Sequence, residues 1–402
     1  MKYHDGKFYL LFITLDEGGF LCTATRAEGP WTIRKLPKGF YDPGLFFDDD
    51  GRIYVAHGYS KISITEVNPD LSPKGNDSLV FTGDIRKGLE GSHVYQINGY
   101  YYLYATYGGL DGIQVALRSK NIYGPYEQKV VISDTTPGIN FGIHQGALIK
   151  TQSGEWWTIL FVDSGPFGRF PSLQPVTWVD GWPMVGVNGK AVISYKKPNV
   201  GKTYPARFFP SSDEFNGKTL GMQWGWNHNP DPQNWSLTRR PGYLRLITAK
   251  VVSNLTQARN TLTQRPFAKR DQAVPTVAVT KIDVSHMRDG DIAGLSMFQD
   301  PYAYIAVKQV KSSKFIIMVN NGKTMDSIVV DESTVYLRTK ASNESKKASF
   351  EYSVDNRTFK QLGDELLMKF NLKIFTGNKF CLFNYATKTT GGYVDFDWFR
   401  TN

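Results

Sequence analysis

Residues 48–57 read DDDGRIYVAH, a polar run closed by a glycine and followed by a short stretch rich in Ile, Tyr and Val. The same phrase occurs as HDGKFYLLF at 4–12, QINGYYYLYA at 96–105 and TQSGEWWTIL at 151–160. Glycine after Asp, Asn or Ser supplies the positive-φ corner of a tight hairpin. The β-branched and aromatic residues that follow suit a pleated, half-buried strand. The turn glycines, Gly6, Gly51, Gly99 and Gly154, are 45, 48 and 55 residues apart. A second echo falls inside the unit: TATRAEGPW puts Gly29 23 residues after Gly6, and LRSKNIYGPYE puts Gly124 25 after Gly99. Several short strands per period of roughly 40–50 residues mark the blades of a β-propeller. The first copy begins within three residues of the start of the chain. Its blade is therefore expected to lack its upstream strands, and the ring to lack a blade.

Composition narrows the class. The chain has 402 residues, room for two domains, and 14% aromatics. No apolar run approaches the roughly 18–20 residues of a membrane helix, and no N-terminal stretch has a signal-peptide pattern. The compartment stays open. Cys22 and Cys381 are too far apart to define a disulfide framework or a metal-ligand spacing. The formal charge is +10, but Lys and Arg are scattered, which suits a solvated basic surface better than a nucleic-acid footprint.

The blade period stops before SYKKPNVGKTYPARFFPSSDEFNG, so the sequence divides into residues 1–205 and 206–402. Beyond the boundary, alternating segments such as TVAVTKIDV, YAYIAVKQV and KFIIMVNNGK, separated by polar turns, argue for a two-sheet sandwich. GDELLMKF, residues 363–370, is the one stretch that reads as a short helix. Trp224, Trp226 and Trp235 suit an interdomain core better than a sugar contact. The fold class is all-β, an incomplete propeller and then a sandwich.

The sequence contains no HExxH, no phosphate-cradling GxxxxGK and no GxSxG elbow. It does place two acids in register. Asp42 precedes Gly51 by nine residues, and Glu90 precedes Gly99 by nine. Equivalent positions in successive blades face the same end of a propeller's channel. Two carboxyl groups meeting there push their pKa values apart, leaving one protonated and one ionised. Such a pair can protonate a glycosidic oxygen.

The wording of several segments carries a resemblance. FYDPGLFFDDDGRIYV, LEGSHVYQINGYYYLYA, RSKNIYGPYE, HQGALIKTQSGEWWTILF and GRFPSLQPVTWVDGWPMVG resemble glycoside hydrolase family 43, the five-bladed β-xylosidases and α-L-arabinofuranosidases. SSDEFNGKTLGMQWGWNHNP, WSLTRRPGYLRL and GGYVDFDWFR resemble that family's C-terminal concanavalin-like β-sandwich. The resemblance implies a five-bladed propeller lacking its first blade, followed by the sandwich. It also implies an exo-acting, inverting release of xylose or arabinose from hemicellulose oligosaccharides, with neither nucleic acid nor membrane as partner. Glu90 matches the general acid, and Asp42 the aspartate that raises its pKa and orients it. Arg169 matches a sugar-binding arginine. His144 matches a channel histidine that contacts substrate or neighbours a structural calcium, the one metal suggested; the chemistry requires no cofactor.

Two departures bear on the pocket: Ser92 stands where the family often has Pro, and Leu110 where it often has a small polar residue. The family's general base lies on its first blade, upstream of where this chain starts, so no residue here is assigned that role. Impaired hydrolysis is the corresponding expectation. A non-hydrolytic carbohydrate-binding protein derived from the family is the alternative.

Overall fold

In the computed structural model, which describes residues 1–135, 141–205, 210–266, 274–371 and 376–402, every repeat glycine turns a hairpin. Two forms occur. Asp5 and Gly6 (φ 45° and 74°), like Asn98 and Gly99 (52° and 75°), both have positive φ, as a two-residue turn between twisted strands demands. At Gly51 and Gly154 the glycine alone does so, closing a longer loop through N–H bonds to the Asp48 and Thr151 carbonyls.

Chain contacts define two units, Met1–Asp163 with Phe170–Tyr204, and Ser164–Arg169 with Pro205–Asn402. The expected boundary at residue 206 lies outside the described residues. The first unit holds four antiparallel four-stranded sheets in sequential order, a propeller-like arrangement. They are Lys2–His4, Lys7–Thr14, Gly18–Ala24 and Thr32–Lys35; Gly44–Phe47, Ile53–His57, Lys61–Val67 and Ser78–Thr82; Leu89–Ile97, Tyr100–Tyr107, Ile113–Ser119 and Glu127–Ile132; and Ile143–Lys150, Trp156–Asp163, Arg169–Val179 and Trp182–Val185. Four such sheets are present among the described residues. The first, like the others, has four strands. The expectation that it lacks upstream strands is corrected, because the Asp5-Gly6 turn folds Lys2–His4 back onto the next strand.

Neighbouring sheets bury aromatic and branched side chains between them. Leu21, Phe40, Leu45 and Val55 join the first sheet to the second. Tyr54, Ile64, Leu103 and Val115 join the second to the third, and Tyr104, Val131, Leu148 and Leu160 the third to the fourth. Burial of this kind contributes about 1.5–3 kcal/mol per large side chain. It holds the innermost strands close enough for their ends to meet.

The second unit is a sandwich of a seven-stranded and an eight-stranded antiparallel sheet. The helix expected at 363–370 does not form. Leu366–Leu367 instead pairs with the strand Lys347–Ser353, since Leu366 and Met368 find burial against the sheet while Leu367 points out. Trp224 packs against Phe399 with ring centroids 5.0 Å apart, and Trp226 against Trp235 at 5.1 Å, so these contacts lie inside the sandwich. Cys22 and Cys381 are free and buried. Among the described residues no helix is long and apolar enough to cross a membrane.

Candidate active site

Two β-bulges build the site. Along the innermost strand of the third sheet the pairing slips between Glu90 and His93, where Gly91 adopts a φ of 67°. On the fourth sheet it slips beside Gln145, whose φ is 50°. A bulge bends its strand and re-aims the local side chains. Here the bends converge: a Cβ on Gly91 would lie 2.9 Å from Gln145 Nε2. Gly44, opening the second sheet, approaches so closely that a Cβ there would fall 1.9 Å from the Ser92 carbonyl oxygen. Asp42, just ahead of it, is held at a φ of 46°, a sparsely populated region for a residue with a side chain.

Gln145 Nε2 donates to Asp42 Oδ2 at 3.3 Å, and the Tyr41 hydroxyl donates to Glu90 Oε2 at 3.0 Å. The opposite oxygen of Glu90 faces Gly108, where a Cβ would stand 3.1 Å away. Burial first, and then the negative charges of Glu90 and Asp42, raise the Tyr41 phenol well above its usual range, so it keeps its proton and acts as donor. One phenol thus senses both carboxyl groups. The ring of Tyr41 meets that of Tyr59 edge-on at 6.1 Å, and both rings are exposed, an apolar surface of the kind sugar C–H faces pack on.

A cleft of about 260 Å3 opens here, lined by Leu11, Phe12, Ile13, Asp42, Pro43, Gly91, His93 and Gln145. The first, third and fourth sheets contribute, together with the loop that leads into the second. Burial, reinforced by the positive charge of Lys2, lowers the His93 imidazole to about 4, so it is neutral at ordinary pH. Burial also lowers Lys2 to about 8; its ammonium donates to the Val94 carbonyl at 3.1 Å and lies 4.6 Å from the Tyr95 ring centre. A larger cavity of about 800 Å3 lies in the sandwich. Neither Asp42 nor Glu90 lines it, whereas the smaller cleft is lined by Asp42 and by Gly91, which follows Glu90, so the smaller cleft is the candidate for chemistry.

His144 neighbours Gln145 but is 1% exposed, with its ring edge-on to Phe161 and Nε2 3.9 Å from Asp163 Oδ2. It does not line the cleft. Among the described residues no group of three or more His, Cys, Asp or Glu side chains could hold a metal. Arg169 is not a lining residue either, and its carbonyl accepts from Arg265 at 2.6 Å.

Tyr41, His93 and Gln145 were not singled out from sequence. For Gln145 the signal was present, since it precedes Gly154 by nine residues, the offset of Asp42 and Glu90 from their own glycines. Tyr41 and His93 carried no such mark.

Comparison with known proteins places these features among relatives. Residues 1–183 match the family described as "Glycosyl hydrolases family 43", and residues 212–402 match "Beta xylosidase C-terminal Concanavalin A-like domain". A "Beta-xylosidase" of Formosa agariphila is 32% identical over 99% of this chain and 76% of its own length. A "Putative beta-xylosidase" of Xylanibacter ruminicola is 33% identical over 92% and 70%. Among solved structures, a bifunctional GH43-CE protein of Bacteroides eggerthii superposes with a TM-score of 0.85 at 37% identity, covering 100% of this chain and 53% of that one.

Proposed function

The chain belongs to glycosyl hydrolases family 43, and from that premise we propose that it is an exo-acting, inverting glycosidase releasing xylose or arabinose from hemicellulose-derived oligosaccharides. In this reading Glu90 is the general acid. Its proton passes to the glycosidic oxygen as the bond to the anomeric carbon breaks, and the sugar ring takes on oxocarbenium character. Asp42, ionised beside it, keeps that proton on Glu90 and is itself fixed by the Gln145 amide. Water attacks from the opposite face. The observation that supports the reading is that Tyr41, bonded to Glu90, feels the charge of both carboxyl groups, while Asp42, held by Gln145, lines the cleft together with Gly91, the residue after Glu90. Relatives' names support the pentose: one is named "Beta-xylosidase", another "Putative beta-xylosidase", and a Bacteroides ovatus protein 33% identical over 61% of this chain is named a non-reducing end α-L-arabinofuranosidase. Arg169 as a hydroxyl contact and His144 as a substrate neighbour rest on the family resemblance alone.

The test varies the leaving group. Glu90→Gln should lower turnover of aryl β-xylosides and α-arabinofuranosides with poor leaving groups by about 10²–10⁴-fold. It should leave dinitrophenyl glycosides, which depart without a proton, nearly unaffected. Equal loss on both would remove Glu90 from the acid's role.

One observation favours a second reading, a sugar-binding protein with little turnover. Of the eight residues lining the cleft, Asp42 alone carries a carboxylate, and none is assigned to take the attacking water's proton. If water activation limits the rate, added azide, which needs no deprotonation, should accelerate release and give a glycosyl azide of inverted configuration. Xylo-oligosaccharide binding with no turnover in either condition would favour the second reading.

A further inference from the structure

The larger cavity has no part in the reading above. It lies within the sandwich, holds about 800 Å3 and is about three times the volume of the carboxyl cleft. Its floor is aromatic. Phe298 and Tyr302 are both 7% exposed, with ring centroids 6.2 Å apart, and Tyr302 continues in a parallel stack onto Tyr304. Its rim is polar and exposed, and includes Asn227, His228 and Asn321. His228 Nε2 lies 2.9 Å from the Thr256 carbonyl oxygen. A carbonyl only accepts, so Nε2 is the donor in this contact. Asp300 and Lys379 are the one acid and the one lysine among the lining residues. Asn371 Nδ2 donates to Asp300 Oδ2 at 3.1 Å, which fixes the carboxylate as a wall acceptor.

These features select a ligand class. Balanced charge gives no advantage to a phosphate or a polyanion. An apolar peptide would bury the amides of Asn227 and Asn321 without partners, which is unfavourable for each unmet group. A neutral molecule with many hydroxyl groups and apolar C–H faces meets both the amide rim and the aromatic floor. The volume falls within the roughly 300–1,000 Å3 of ligand sites and exceeds what one pentose needs.

We propose that this sandwich cavity is a second carbohydrate-binding site, taking a neutral oligosaccharide of several residues and holding polymer independently of the carboxyl cleft. It depends on the glycosidase reading only for the choice of probe. The experiment uses the full chain carrying Glu90→Gln to prevent turnover, with xylohexaose in calorimetry and soluble xylan in affinity gels. Asn227→Ala combined with His228→Ala, both at exposed positions, should weaken xylohexaose binding at least tenfold and abolish retardation by xylan. Lys379→Gln should weaken both by a smaller factor. In the chain with Glu90 intact, the same variants should hydrolyse aryl glycosides within twofold of the parent. Unchanged retardation by xylan in both variants, or a crystal grown with xylohexaose showing sugar only at the carboxyl cleft, would overturn the inference. If aryl glycosides are not hydrolysed at all but retardation still depends on Asn227 and His228, the glycosidase reading fails and this one stands.

Discussion

Tyr41 is the residue whose removal reads most directly on the acid. Its hydroxyl donates to Glu90 Oε2 at 3.0 Å, and a donor to a carboxylate stabilises the ionised form. Tyr41→Phe deletes that bond and leaves the ring against Tyr59. The carboxyl should then hold its proton to higher pH. The alkaline limb of the kcat/KM profile is expected to move upward by about half a unit to one unit, while kcat falls about tenfold through loss of orientation. A profile that keeps its limb, or one in which only KM changes, would reduce Tyr41 to a wall of the cleft. The acids themselves were legible because each stands at a fixed distance from a turn glycine. Tyr41 was not, because its role depends on where a neighbouring strand ends, which no local pattern encodes.

At the scale of the element, the bulges and the glycine that admits them decide whether four sheets make one site. Gly44 marks a close approach between innermost strands: the Ser92 carbonyl oxygen occupies the place a Cβ would take, at 1.9 Å. Gly44→Ala must push the second sheet from the third, and overpacking of this kind costs typically 1–3 kcal/mol. A thermal melt should show that loss. Activity should fall by more than stability explains, because the same shift moves Asp42 away from Gln145 and Glu90. Activity retained at temperatures well below the melt would mean that the two carboxyls tolerate the displacement. Strands and hairpins were readable here from period and turn chemistry, down to the Asn98-Gly99 and Asp5-Gly6 corners. The bulges were not, since an extra residue in one strand shows only against its partner. The stretch at 363–370 misled for a related reason. Its Leu-Leu-Met run has a helix former's composition, yet burial of Leu366 and Met368 along an existing sheet edge outweighs that propensity.

Across the whole molecule the two units carry opposite responses to pH, and melting can separate them. In the first unit His93 and His57 are both lowered, mainly by burial, His93 to about 4. The unfolded chain therefore binds more protons than the folded one between about pH 4 and 6.5, and this unit gains stability as pH rises through that window. In the second unit Asp291 is fully buried, and burial, only partly countered by the Arg288 backbone N–H, raises its carboxyl to about 6. Here the folded state holds the extra proton. Its contribution is complete below about pH 4 and is lost as pH climbs through 6. Units of this size need not melt together, so calorimetry should resolve two transitions, one moving up and the other down between pH 4.5 and 6.5. Asp291→Asn keeps an acceptor for the Arg288 N–H while removing the charge. It should cancel the downward drift of one transition and raise it at pH 7 by roughly 1–3 kcal/mol, or about 2–8 °C. The other transition should be untouched. If both transitions drift the same way in the parent, or Asp291→Asn leaves the drift in place, the buried carboxyl is not what sets the sandwich's response to pH.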